Sequence, residues 1–160
     1  MPLGRALMMM VGRRRFLGLG ATAVLLAACK TPDGSSDALA RLMSPATLVG
    51  KLDDVKAGKV LVLQVGPKVL FTKARIPGAE YVGEGSSQSG YDAFRERLAK
   101  APPDVEVVAY CGCCAVADCP NIRPASRAIR ESKRTNAWVL DLPTNFATDW
   151  ERKGHPVEKG

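Results

Sequence analysis

Two short runs, Val60-Leu61-Val62-Leu63-Gln64-Val65 and Val105-Glu106-Val107-Val108-Ala109-Tyr110, constrain most what this chain can fold into. The first is apolar and β-branched almost throughout, the mark of a strand covered on both faces. Such a strand needs helices above and below it, and the chain supplies them. Ser44-Pro45 is a helix-start signal, followed at helical spacing by Leu48, Leu52 and Val55 until Gly58 stops the pattern. Residues 91–99 carry Phe94 and Leu98 at i and i+4. A further helix is expected over about 120–133, and a last one over 145–153, closed by Gly154. Residues 79–82 and 137–142 read as additional strands. The alternation predicts one α/β domain over residues 44–160, a parallel sheet with helices on both faces. In such sheets sites form at the carboxyl ends of strands.

The first 28 residues read differently. Arg13-Arg14-Arg15 precede an uncharged stretch over 16–28 that ends in small residues, the layout of an export signal. Its 13 residues fall short of the roughly 20 that span a bilayer. Arg13-Arg14-x-Phe16-Leu17 resembles the twin-arginine export motif, with Gly12 and Gly18 where Ser/Thr and Lys are usual; a general secretory route stays open. Leu26-Ala27-Ala28-Cys29 looks like a bacterial lipobox, in which the cysteine is lipidated and becomes the new N-terminus. Residues 29–43 then read as a lipidated Cys29 and a flexible tether. The expected location is the periplasm or the cell exterior, on a membrane.

Cleavage changes what the net charge means. Four of the 23 basic residues, Arg5, Arg13, Arg14 and Arg15, lie in residues 1–28, which hold no acid, so the charge falls from +7 to +3. A nucleic-acid partner is therefore not expected. The mature chain is read as a monomer outside the cytoplasm, where disulfides are permitted.

The chemistry is concentrated in Tyr110-Cys111-Gly112-Cys113-Cys114-Ala115-Val116-Ala117-Asp118-Cys119-Pro120-Asn121-Ile122-Arg123-Pro124. Cys111 follows a strand and precedes a helix, where loop N–H groups and the helix dipole favour a thiolate. That activates a cysteine without a base, which matters in a chain whose one histidine is His155. Arg123 offers positive charge to an anion if its side chain turns back toward the loop; otherwise it is a surface or capping residue. His155 is read as a surface residue, Trp138 and Trp150 as core, and Lys133-Arg134 and Arg152-Lys153 as solvated helix ends.

Four segments in order, Leu61-Val62-Leu63-Gln64-Val65, Arg75-Ile76-Pro77-Gly78-Ala79, Val107-Val108-Ala109-Tyr110-Cys111, and Trp150 followed by Gly154-His155-Pro156-Val157-Glu158, resemble those of rhodanese-like (sulfurtransferase) domains. The resemblance implies a rhodanese-like α/β fold in which Cys111 takes up sulfane sulfur as a persulfide, cradled by a substrate-binding loop of Gly112, Cys113, Cys114, Ala115 and Val116. It implies a small sulfur-containing donor, a thiol or cyanide-like acceptor, and no cofactor. The chain departs from the family at Gln64 and Gly66, where Asp and Arg are usual, and at Arg75, where His is usual. Its loop is longer, and the first arginine after Cys111 is Arg123. With Ala117 where a Cys-x5-Arg phosphatase places its arginine, that chemistry is set aside.

The remaining cysteines leave alternatives open. Cys113, Cys114 and Cys119 are candidate redox or resolving thiols, and a loop disulfide such as Cys113–Cys119 or Cys114–Cys119 is one arrangement. The weaker reading is a non-catalytic binding module on the same fold, holding a metal at Cys111, Cys113, Cys114 and Cys119. The spacing lacks two separated C-x2-C knuckles, and adjacent Cys113 and Cys114 are awkward to aim at one ion.

Overall fold

The computed structural model describes residues 38–160. The export signal, Cys29 and the tether up to residue 37 lie outside the described residues. The order of elements is β1 (Leu42–Met43), α1 (Pro45–Val49), α2 (Leu52–Lys56), β2 (Val60–Gln64), α3 (Lys68–Lys73), β3 (Glu80–Tyr81), α4 (Gln88–Lys100), β4 (Glu106–Tyr110), α5 (Ile122–Glu131), β5 (Ala137–Leu140) and α6 (Phe146–Asp149). Short 3-10 turns cover Val116–Asp118 and Glu151–Lys153. The five strands form one parallel sheet in the order β1-β5-β4-β2-β3.

Strand periodicity divides the core in two. Along β2, Leu61, Leu63 and Val65 face one side and Val60 and Val62 the other; along β4, Val107, Ala109 and Cys111 alternate with Val108 and Tyr110. The first side is closed by Phe94 and Leu98 of α4 and by Ile122, Ala125, Ala128 and Ile129 of α5. The second is closed by Leu48 of α1, Val55 of α2, Phe146 of α6 and Trp150. Every residue of β2 is buried, as the apolar run predicts for the centre of a parallel sheet.

Two expected helices are each divided. Ser44 caps α1 through Thr47 N–H as the sequence predicts, but Gly50 ends it after one turn, and Leu52 and Val55 belong to α2. The helix expected over 145–153 breaks at Trp150, whose backbone leaves helical geometry at φ −120°. There the indole sinks fully into the core, stacks on Phe146 and donates from Nε1 to the Pro156 carbonyl at 2.8 Å. The stretch α3 has no buried residue, so no apolar period in the sequence announces it.

The tether reading fails at its carboxyl end. Met43 is buried, Val139 N–H donates to the Arg41 carbonyl, Asp141 N–H donates to the Met43 carbonyl, and Ala40 N–H reaches Ser126 Oγ. Residues 40–43 are thus an edge of the sheet, held by backbone bonds that no side-chain pattern advertises. Arg134 is not a solvated helix end: its guanidinium donates to the carbonyls of Ala101, Pro102 and Val105. Trp138 is only partly buried beneath the Arg41 guanidinium, and His155 is half-buried with its ring edge-on to Trp150. Truncating Trp150 removes the largest buried side chain and its hydrogen bond. Trp150→Ala is expected to lower unfolding free energy by about 3–5 kcal/mol in denaturant titration.

Candidate functional site

β2 and β4 are paired in register through Gln64 and Tyr110, and Val65 N–H continues the ladder to the Tyr110 carbonyl. One residue beyond that pairing the two chains turn away, leaving Cys111 at the carboxyl end of the central strand pair. The Gln64 side chain reaches across, donating from Nε2 to the Cys111 carbonyl at 3.1 Å. Gly66 lies so close that a Cβ there would sit 2.7 Å from Cys111 Sγ and 2.8 Å from its carbonyl oxygen. The glycine at this position is therefore a packing requirement of the cysteine beside it. Gly112 has φ +88°, and a Cβ on it would meet Phe146 Cβ at 2.8 Å; its carbonyl accepts from Phe146 N–H.

Four sulfurs gather here. Cys111 Sγ is 3.1 Å from Cys113 Sγ, which is 3.2 Å from Cys114 Sγ and 3.8 Å from Cys119 Sγ. All four are free thiols, so neither loop disulfide is present. Cys111 and Cys119 are buried and Cys113 is exposed. Asn121, which no sequence argument singled out, donates from Nδ2 to Cys111 Sγ at 3.6 Å, while its Oδ1 accepts from the Ser86 backbone N–H and hydroxyl. It occupies the N-cap position of α5 without capping it. Its side chain is held instead by Ser86 and Cys111.

The backbone N–H groups of Asn121 and Ile122 point at Cys119. Even so, Cys119 holds its proton more tightly than an ordinary cysteine, chiefly through its hydrogen bond to Cys111, then through burial and the charge on Cys111. Cys113 is pushed up to about 11, first by the partial burial of its sulfur. Cys114 is raised by the same cause. Cys111 thus has the Asn121 amide donating to its sulfur and Cys119 hydrogen-bonded beside it, and it donates in turn to Cys113.

A pocket of about 210 Å³ opens over Cys111, lined by Gln64, Leu70, Ala74, Tyr110, Phe146 and others. Of the five loop residues read as the substrate cradle, Gly112 and Cys113 line it. Val116 instead donates its N–H to the Leu142 carbonyl and buries its side chain on the α4 and α5 side of the sheet, where Cys114 packs partly buried. Lys73 and Glu151 supply the pocket's only charges among the described residues. Arg123 is exposed and donates to the Ala117 carbonyl at 3.0 Å, bracing the 3-10 turn. Arg75 pairs with Glu158 and covers the Phe71 ring. Gly78 N–H and Arg75 hold the Glu158 carboxyl below the usual range.

No family model matches the chain, and no curated protein matches it. Solved structures do. A Bacillus halodurans protein is 15% identical with a TM-score of 0.54, covering 75% of this chain and 77% of its own. The rhodanese-like domain of an Anabaena protein is 16% identical with a TM-score of 0.51, covering 74% and 79%. A thiosulfate sulfurtransferase from Pseudomonas aeruginosa is 16% identical with a TM-score of 0.54, over 76% of this chain and 20% of that longer one. The chain has the rhodanese-like α/β fold, with a parallel five-stranded sheet flanked by helices.

The contact between Gly66 and Cys111 gives a direct test. Gly66→Ala forces the two segments apart, with an expected loss of about 1–3 kcal/mol of stability and slower alkylation of Cys111, read by denaturant titration and peptide mass mapping.

Proposed function

We propose that this chain is an exported, lipid-anchored carrier of sulfane sulfur, with Cys111 as the nucleophile. The observation that supports this reading most is the placing of Cys111. Its sulfur lies at the carboxyl end of β4, at a pocket, with an amide donor on one side and a protonated thiol on the other. In the first step the Cys111 thiolate attacks the outer sulfur of a donor persulfide or thiosulfonate. The donor S–S bond breaks, the donor leaves as its thiolate or sulfinate, and Cys111 carries a persulfide. An acceptor thiolate then attacks that outer sulfur, takes it as a new persulfide, and returns Cys111 as a thiolate. No net oxidation occurs, and no base is needed once Cys111 is ionised.

The pocket favours some donors over others. A dianion such as thiosulfate is served best by a guanidinium; here Lys73 is the only cation lining the pocket among the described residues, and Glu151 faces the same space. Organic persulfides and thiosulfonates, with less charge at the reacting sulfur, suit these walls better. Among the described residues no helix is long and apolar enough to cross a membrane; the proposed attachment is through Cys29 in the lipobox-like Leu26-Ala27-Ala28-Cys29.

Incubating the purified chain with an organic persulfide is expected to add one sulfur to Cys111, seen by intact mass and peptide mapping. Cys111→Ser should reduce sulfur transfer to background; unchanged turnover would overturn the assignment. Cys29→Ser should leave transfer intact and move the protein from the membrane fraction to the soluble one.

A further inference from the structure

We propose that Cys111, Cys113 and Cys119 also form a three-coordinate site for a soft monovalent cation of the copper(I) type. Their sulfurs all lie within 4.8 Å of one another. In a trigonal site with metal–sulfur bonds of about 2.3 Å the sulfurs stand about 4 Å apart. The Cys113–Cys119 separation of 3.8 Å already matches, and the 3.1 Å pair of Cys111 and Cys113 must open. Cys113 is the exposed member, so of the three side chains it has the most room to adjust.

The donor set selects the ion. Three sulfurs converge, whereas Cys114, though 3.2 Å from Cys113, is not a member of the mutually close group. The chain's one imidazole, on His155, is engaged with Trp150. Structural zinc takes four ligands in a closed tetrahedron, while soft thiolates without oxygen or nitrogen partners suit copper(I). Around the ligands stand donors that offset thiolate charge: Asn121 Nδ2 at Cys111, and the backbone N–H groups of Asn121 and Ile122 at Cys119. Binding exchanges three S–H bonds for three S–Cu bonds, releases three protons to water and transfers no electron. Because Cys111 belongs to both chemistries, a bound cation and a Cys111 persulfide exclude one another. The inference shares that residue with the sulfur-carrier reading but stands on the thiol cluster.

The full chain carrying Cys29→Ser, reduced and kept free of oxygen, is titrated with copper(I) against a chromophoric copper(I) chelator. One copper per chain is expected to stay bound, with a near-ultraviolet thiolate-to-copper band. Cys113→Ser should weaken binding by more than about 100-fold and Asn121→Ala by about 10-fold, the larger loss marking a ligand and the smaller its support. Cys114→Ser should leave affinity within a few-fold. Cys113 and Cys114 are not buried, and circular dichroism is used to check that their variants fold. Complete loss of copper to the chelator, equal loss in Cys114→Ser, or tighter retention of zinc(II) would each overturn the site. The metal-free protein is separately treated with persulfide. Copper retained with no sulfur added to Cys111 overturns the carrier reading alone, and sulfur added with no copper retained overturns this one alone.

Discussion

The pairing of β2 with β4 is the constraint on which the rest of the molecule depends. It runs through five consecutive residue pairs at the centre of the sheet, from Val60 and Glu106 to Gln64 and Tyr110. Because side chains alternate, this one ladder feeds both halves of the core. Because the strands are parallel, it also ends both chains at the same edge, which is where Gly66 and Cys111 meet. A slip of one residue would exchange the two cores and turn the Cys111 side chain to the opposite face of the sheet.

What surrounds Cys111 follows from that placement. The cysteine continues the face that α4 and α5 cover, so its sulfur lies toward Asn121 and Cys119 at the start of α5. The opposite face presents Tyr110, Phe146 and Trp150, which form the apolar side of the pocket and its support. The loop between them is tied at both ends, by Phe146 N–H to the Gly112 carbonyl and by Val116 N–H to the Leu142 carbonyl. This crowds the sulfurs of Cys111, Cys113 and Cys119 together. Electrostatically the site is quiet. Arg123 braces a turn and Arg75 clasps the segment around Glu158, so neither guanidinium lines the pocket. The site is therefore one of sulfur chemistry in weakly charged surroundings.

The central strands, the two helices beneath Phe94 and Ile122, and the cysteine at a strand end were legible in the sequence. Each is written in local signals: apolar runs, i and i+4 spacing, and a thiol after a β-branched segment. The edge strand at Leu42–Met43 was not, because backbone bonds to β5 hold it. Nor was the break at Trp150, where burial of one indole outweighs the continuation of a helix. Arg134 read as a solvated cation because nothing near it in sequence marks the three carbonyls, some 30 residues away, that it binds.

The sequence by itself determined the central strands, their two covered faces and the position of Cys111, since these depend on the period of apolar residues and on where a strand stops. Only the tertiary structure decided which thiols meet and which groups donate to them. Asn121 turns from its helix to Cys111 because Ser86 holds its oxygen, and α5 aims its N–H groups at Cys119. Cys111, Cys113 and Cys119 come within mutual reach, while Cys114 sits against Cys113. These contacts join segments far apart in the chain, and their geometry is set by packing around the strand ends rather than by any local preference.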